Sequence, residues 1–452
     1  MLLTYKTTKQ EKGSLRDNSN FRKERKMKPI AENYTIIKRS NNPQKEHLYT
    51  PSVLKLKNGR LLVSLDISGK SGEIYASDDG GATWQLKGTG QFQHARLFLD
   101  GDTVYLLGHQ GDLVVYTSQD NGESWSEGSK LTSGEAWHQS ACNVWYKGDY
   151  IYLVMERLIK DPGEKFPFWC PNVLAPVVMR GRLGSDLTKR ENWLFSEEIR
   201  FRDLVPDEDM LDWFGIPFYT TFMKHTGQPA TSITDTYRQS FDYETGKEGM
   251  EFLAQPIGWL ETNIVQITDP RHYWYDPSGN TFYLFMRAHT ARSGYCCIAK
   301  AVEHTENGKD SITVEVVKAP SGKKTLFLPM PGGQMKFYVK YDEVSKLYWL
   351  LSTQATDTMC RIEYLDKERY NIPCDERDRL TLHFSKNMVD WVFAGLVDKG
   401  ASPKQSRHYG SMDIDGDDLV IVSRSGDSDA FSAHCGNMIT FHRVKNFRDL
   451  IY

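Results

Sequence analysis

Ser77-Asp78-Asp79-Gly80-Gly81-Ala82-Thr83-Trp84 and Ser118-Gln119-Asp120-Asn121-Gly122-Glu123-Ser124-Trp125 decide the fold of this chain. Both read Ser-x-Asp-x-Gly-x-[Thr/Ser]-Trp, and both follow an apolar run, Glu73 to Ala76 and Leu113 to Thr117. The pattern describes a hairpin tip. Asp accepts backbone N–H groups inside its own turn, Gly takes the positive φ that a Cβ would oppose, and Trp folds back to bury its ring between sheets. One copy would say little. Two copies about 40 residues apart match the repeat length of a propeller blade built from four strands.

Outward from these tips, six copies of one hairpin can be laid out. Their inner strands begin at Leu48, His94, His138, His272, Lys336 and His408, turn at Gly or Asp clusters, and return through Asp66, His109, Arg157, Arg287, Gln354 and Arg424. Ala175 to Leu183 and Trp193 to Arg200 extend the third unit, and Cys296 to Val302 and Ile312 to Lys318 extend the fourth. A worn tip, Ser385 to Trp391, closes the fifth. Residues 201–269 hold no clean copy, but Phe214 to Met223 and Trp259 to Ile267 are strand-like and read as a degenerate seventh blade. Met438 to Val444 is expected to pair with Tyr34 to Arg39 so that no sheet edge stays open. The fold class is therefore all-β, a single propeller over 34–452 with an insertion or degenerate blade at 201–269, six blades legible and a seventh inferred. Residues 1–33 read as a disordered basic arm, with Met27 a reasonable alternative start.

Composition narrows the function classes. The 452 residues carry a net charge of −3, so a broad basic surface for nucleic acid is not expected. Seven cysteines, odd in number and without a Cys-x-x-Cys pair, argue against a disulfide framework and a structural zinc site. No window approaches the roughly 20 apolar residues of a membrane span. The basic N-terminal stretch lacks the apolar core of a secretory signal, which points to the cytoplasm, or to export if the true start differs. A monomer or weak oligomer is expected, without a cofactor, although a propeller axis can hold a cation on carbonyl oxygens without leaving a motif.

If inner strands start where second strands end, those positions share one rim, and the Asp-Gly tips fall on the other face. The rim then gathers His94, His109 and His138 with His47 and Tyr409 as candidate catalytic groups, and Arg157, Arg287, His272, Gln334, Lys336, Arg407, His408 and Arg424 as ligand-binding groups. Imidazole suits acid–base work near neutral pH, and converging guanidinium groups suit a carboxylate. The expected ligand is an oligosaccharide bearing an anionic sugar.

The repeated tip resembles the Asp box of sialidase-like propellers. In that family an Arg-Ile-Pro motif opens the first blade, where this chain has Leu48-Tyr49-Thr50-Pro51, so the arginine is missing. Asp269 to Pro277, Pro331 to Phe337, Tyr348 to Asp357, Ser406 to Asp413, Ser423 to Asp427 and Asn437 to Arg448 are similar to the propellers that act on rhamnose-capped glucuronate, the rhamnosyl-α-1,4-glucuronate hydrolases and lyases (glycoside hydrolase family 145 and polysaccharide lyase family 42 types). That resemblance implies seven blades, and on that ground seven are preferred to the six that can be counted. It also implies an L-rhamnose-α-1,4-D-glucuronate lyase, for which the rim offers His94 and His109 as base and acid and Arg157, Arg287 and Arg424 as a clamp, or an α-L-rhamnosidase relying on a histidine on the opposite face, with His47 in the matching part of the chain. An exo-α-sialidase and a non-catalytic glycan-binding propeller are the remaining alternatives.

Overall fold

A computed structural model describes residues 27–31, 33–68, 71–163, 171–204, 238–241, 248–253, 258–289, 294–360 and 376–452. Six four-stranded antiparallel sheets stand around an axis. The first runs Leu48–Lys55, Leu61–Ile67, Ser71–Ser77, Gln85–Gly90, and the second Gln93–Asp100, Thr103–Gln110, Asp112–Ser118, Ser129–Lys130. The third is built on Tyr150–Leu158 and Leu174–Arg182, with the short Trp137–His138 and Trp145–Lys147 inside and Trp193–Phe195 outside. The fourth runs Gly258–Val265, Thr281–His289, Tyr295–Glu306, Lys309–Glu315, and the fifth Tyr338–Asp342, Leu347–Thr353, Arg379–Ser385, Val392–Lys399. The sixth takes Arg407–Asp415, Asp418–Ser425 and Met438–Val444 from the C-terminal end and Thr35–Arg39 from the N-terminal end, with Thr35 opposite Phe441 and Arg39 opposite Met438. Second strands such as Leu61–Ile67 and Leu347–Thr353 are buried at every residue because a sheet packs on each of their faces, which explains their unbroken apolar runs.

The repeated tips clamp neighbouring blades together. In the first, Ser77 Oγ donates to Asp79 Oδ1 (2.8 Å) and accepts Gly81 N–H (2.9 Å), while Asp79 accepts the amide and hydroxyl of Thr83 (2.9 and 2.6 Å). Trp84 closes onto Gly81 O (3.1 Å) and packs 5.4 Å from the Phe441 ring of the sixth blade. Gly81 has φ +97°, and a Cβ there would meet Phe441 at 2.2 Å. Gly122, with φ +83°, sits against Leu62 of the first blade in the same way. Each glycine serves a turn and a close approach together. The worn tip of the fifth blade keeps the logic with Asn387 in place of Asp, its Oδ1 accepting the amides of Val389 and Asp390.

A belt of polar side chains around the axis fixes the blade number. Leu97 N–H donates to Ser52 Oγ, Arg96 to Asn143 O, Asn143 exchanges two bonds with Ile264, Asn263 exchanges two with Phe337 and Val339, Lys340 pairs with Asp413, and Val53 N–H donates to Ser411 Oγ. Those contacts run first to second to third and on through the sixth back to the first. The third and fourth blades bond directly, again through Trp259 Nε1 to Leu174 O (2.8 Å), so the ring has no opening for a seventh sheet. The expected seven is corrected to six. Trp259 to Ile267, read as part of the extra blade, supplies the inner strand of the fourth. Of the rest of that segment, Arg238–Phe241 pairs with Glu248–Leu253 as a separate hairpin, and Phe214 to Met223 lies outside the described residues. Ordered packing also begins earlier than Tyr34: Ile30 N–H donates to Leu396 O and Ala31 is buried against the fifth blade.

Candidate functional site

The backbone marks the site before any side chain does. In four inner strands the pairing slips at one level near the rim, between Tyr49 and Ser52, Gln93 and Arg96, Leu260 and Asn263, and His408 and Ser411. At three of these bulges the extra residue is left-handed: His94 (φ 51°), Glu261 (φ 62°) and Tyr409 (φ 50°). None is Gly, Asn or Asp, and such a conformation costs about 1 to 3 kcal/mol each. The bulges set an imidazole, a carboxylate and a phenol at the same level of three inner strands, and Arg287 links the last two.

Around His94 lies a cluster of imidazoles. The His94 ring is 5.5 Å from both His109 and His138, and those two are 6.0 Å apart. His94 Nδ1 shares a hydrogen bond with Thr50 Oγ1 (2.8 Å), and its amide donates to Asp66 Oδ1 (3.1 Å). Burial, then the neighbouring imidazoles, pushes His109 well below the usual histidine range, and burial with His94 nearby holds His138 down to about 3, so both are neutral at pH 7. His109 Nε2 has no hydrogen-bond partner among the described residues. Behind His138 stands Glu156, fully buried and pushed up to about 8 by that burial.

Across the mouth stand the guanidinium groups. Arg287 Nη1 reaches both Tyr409 Oη (3.0 Å) and Glu261 Oε2 (3.4 Å), and its Nε donates to Gln334 O (2.8 Å). Ser140 Oγ donates to the other Glu261 oxygen (3.2 Å). Arg424 is stacked between Tyr49 and Tyr409, 4.0 and 4.7 Å from their ring centres, and makes no ion pair with a carboxylate among the described residues. Arg377 Nη1 lies 3.4 Å from His408 Nδ1. Burial first, and then all three guanidinium charges, pushes His408 and His434 well below the ordinary range. Burial and Glu261 raise the Tyr409 hydroxyl, opposed by the same three arginines.

The sequence-derived residues divide on these grounds. His94, His109, His138, Tyr409, Arg287, His408 and Arg424 come together at one mouth. His47 stands on this face too, 5.3 Å from the Phe431 ring and within reach of the Arg424 charge, where the hairpin register places it and not on the opposite face that the family resemblance implies. Gln334 holds Arg287 in place and donates to Thr353 O, and Lys336 sits one layer deeper, its ammonium on Gly410 O beside the Tyr338 ring. His272 is misplaced by the sequence reading. Because Gly258–Val265 is the true inner strand, His272 to Tyr275 forms turns bonded to Asp269 O and His272 O, and His272 Nε2 meets Asn387 O at the opposite, Asp-box face. Arg157 is the alternate residue to Glu156 and points outward, held by Glu198 (2.6 Å) and Glu135 (3.7 Å). Arg407 likewise turns to the outer side, onto Asp398 (2.5 Å) and the Tyr34 ring.

Asp66, Glu156, Glu261, Arg377, His434 and Tyr49 were missed. Asp66 and Glu156 were within sight, as the strand-end residue of one hairpin and the neighbour of another. Glu261 was hidden by the misplaced inner strand, and Arg377 belongs to no repeated register. Among the described residues no group of three or more His, Cys, Asp or Glu side chains is arranged to hold a metal ion, and no helix is long and apolar enough to cross a membrane.

No family model matches the chain, and no curated protein matches it in sequence. Among solved structures it is similar to an α-L-arabinanase of Penicillium chrysogenum complexed with arabinobiose (11% identity, TM-score 0.46, covering 92% of this chain and 99% of that one). Similar too are the intramolecular trans-sialidase of Ruminococcus gnavus in complex with oseltamivir carboxylate (11%, TM-score 0.48, 92% and 98%) and the NanB sialidase of Streptococcus pneumoniae (10%, TM-score 0.47, 92% and 71%).

Proposed function

We propose that this protein cleaves a glycan beside an acidic sugar whose carboxylate is held by Arg287, Arg377 and Arg424. One observation carries the reading: three buried guanidinium groups act on the same trio of side chains, Tyr409, His408 and His434, at the mouth where the strained bulges converge. Guanidinium binds a carboxylate through paired, charge-assisted hydrogen bonds, and a low-dielectric mouth strengthens them. Arg377 takes the part in the clamp expected of Arg157.

The chemistry best served is β-elimination at a glucuronate capped by L-rhamnose through an α-1,4 bond. Neutralising the C6 carboxylate makes the C5 proton removable, a neutral imidazole of the His94–His109 pair accepts it, and a proton donor completes departure of the C4 oxygen. The products are an unsaturated uronate and free rhamnose. A second reading is hydrolysis, favoured by the Arg287 nitrogen that touches both Glu261 and Tyr409, an arrangement in which a carboxylate assists a tyrosine nucleophile as sialidases require. For a sialic acid carboxylate, Arg424 stacked on Tyr49 stands near the missing first-blade arginine.

Incubation with a rhamnosyl-α-1,4-glucuronide separates them. Free rhamnose with ultraviolet absorbance from a new C4–C5 double bond is the expected result, and rhamnose without it selects hydrolysis. Turnover of sialosides instead moves the substrate to sialic acid, and no turnover or binding of either class refutes the proposal.

A further inference from the structure

We propose that Phe431 and His47 form a stacking platform for the neutral sugar joined to the acidic one, so that the mouth binds one sugar by its charge and the next by its apolar face. The Phe431 ring lies 5.3 Å from that of His47 and is tilted 38° to it. His47 lies 6.4 Å from the Tyr49 ring, and Tyr49 carries the Arg424 guanidinium 4.0 Å from its centre. The platform therefore borders the carboxylate clamp. Phe431, His47 and Tyr49 are each half-buried, and none belongs to a hydrophobic cluster among the described residues. Trp84, Trp125 and Trp391 are half-buried too, but each rests on such a cluster. A ring that packs on no core and stays partly in water beside a polar site offers its face to a ligand.

The backbone around Phe431 is fixed by polar bonds that do not involve its ring. Its loop joins Asp418–Ser425 to Met438–Val444, and the two ends are tied where Asp427 N–H donates to Asn437 Oδ1 (3.1 Å) and Asn437 Nδ2 to Asp427 Oδ1 (2.8 Å). Arg39 pairs with Asp427, Gln44 Nε2 donates to Asp429 O (3.0 Å), and Cys435 N–H donates to Ser432 Oγ (3.0 Å). Leu48 N–H donates to Gly436 O (3.0 Å), which fastens the loop to the segment carrying His47, and Ser68 N–H holds His47 O from the other side (2.9 Å). A surface ordered in advance gives up little freedom when a ligand arrives. Burial, then the Arg424 charge, keeps the His47 imidazole below the usual range, so it is neutral at pH 7 and suits an uncharged partner. One face of a pyranose presents C–H groups, which can lie on an aromatic ring while the hydroxyls at its edge stay in water. The choice of occupant rests on the cleavage reading above: with a uronate carboxylate at Arg424, the sugar bonded to that uronate is the group that meets the neighbouring rings.

Two numbers measured on the full-length protein test this, kcat/KM for a rhamnosyl-α-1,4-glucuronide and the inhibition constant of free glucuronate, which has no second sugar. Phe431→Ala should lower kcat/KM about 10-fold, the value of roughly two methylene groups of apolar sugar surface left in water, and should leave inhibition by glucuronate as it is in wild type. Phe431→Tyr keeps the ring face and should match wild type in both. Arg424→Met, by contrast, should weaken glucuronate and the disaccharide together. A Phe431→Ala protein whose kcat/KM stays within about twofold of wild type overturns the platform, and so does one that loses glucuronate as severely as it loses the disaccharide. Loss in Phe431→Tyr equal to that in Phe431→Ala overturns it as well. Each of those results leaves wild-type turnover standing, whereas a wild-type protein that does not cleave the disaccharide overturns the cleavage reading and the platform with it.

Discussion

Lowering the pH from about 7.5 to about 5.5 should unfold this protein through its histidines. Burial holds His109, His138, His289, His383, His408, His434 and His442 below the usual range, with His138 and His289 near 3 and His383 and His442 near 4. Each has a folded pKa beneath its unfolded value, so its contribution is complete above the unfolded pKa and is lost as pH falls below it. Over that interval each group costs about 1.4 kcal/mol, since the unfolded chain takes up a proton that the folded chain refuses. Glu156 works in the opposite direction. Its raised folded pKa returns about 2.5 kcal/mol as the pH drops, so seven histidines less one glutamate leave a loss of about 7 kcal/mol. That is on the order of the whole stability of a typical domain. Carboxylates such as Asp79, Asp276 and Asp342, held near 2, act only at lower pH and cannot account for a loss in this window. Urea unfolding followed by tryptophan fluorescence across the interval measures the slope, and His138→Gln should reduce the proton uptake by about one. A midpoint that stays flat down to about pH 4.5, where carboxylates begin to protonate, would refute the reasoning.

Arg424→Met should reduce kcat/KM on a uronate substrate about 10- to 150-fold, the value of a lost charge-assisted pair, and change the methyl ester much less; equal losses on both would remove the clamp. Trp84→Ala should cost about 2 to 4 kcal/mol, because the ring seals the first blade against Phe441, while the folded fraction keeps its specific activity. A folded but inactive Trp84→Ala protein would contradict a purely structural Asp-box face. His94→Gly should lose at least about 1 kcal/mol less stability than His109→Ala, since only the first relieves a left-handed backbone, and denaturant midpoints for the pair decide it.

Much of the fold could be read because propeller grammar is local. The Ser-x-Asp-x-Gly tips set their own hydrogen bonds, and the apolar second strands announce burial on both faces, so five of the six hairpins were placed from short windows. The fourth was not. Asp269-Pro270-Arg271-His272-Tyr273-Trp274-Tyr275 has the aromatic density of a strand, yet Trp274 stacks on Tyr283 at 5.0 Å and the backbone curls into successive turns. Blade number failed for another reason. It depends on whether Asn143 reaches Ile264, a contact across more than a hundred positions that no local pattern encodes.

The site was half legible for the same reason. Register along a strand finds which residues reach the rim but does not by itself say which way they turn. Arg157 and Arg407 are at the correct height and on the outward phase, whereas Glu156 and Tyr409, each close by in sequence, face inward. The bulges in the inner strands are the device that makes the mouth. Without them His94, Glu261 and Tyr409 would alternate with their neighbours along flat strands, and the axis would carry an ordinary row of side chains. With them, three blades each commit a strained residue to one point, and the strain persists because buried bonds from Asp66, Thr262 and Arg287 over-determine each position. A fold that needed only to close its ring would have no use for that expense in backbone energy, which is why the bulges, rather than the histidine count, argue that this face performs chemistry.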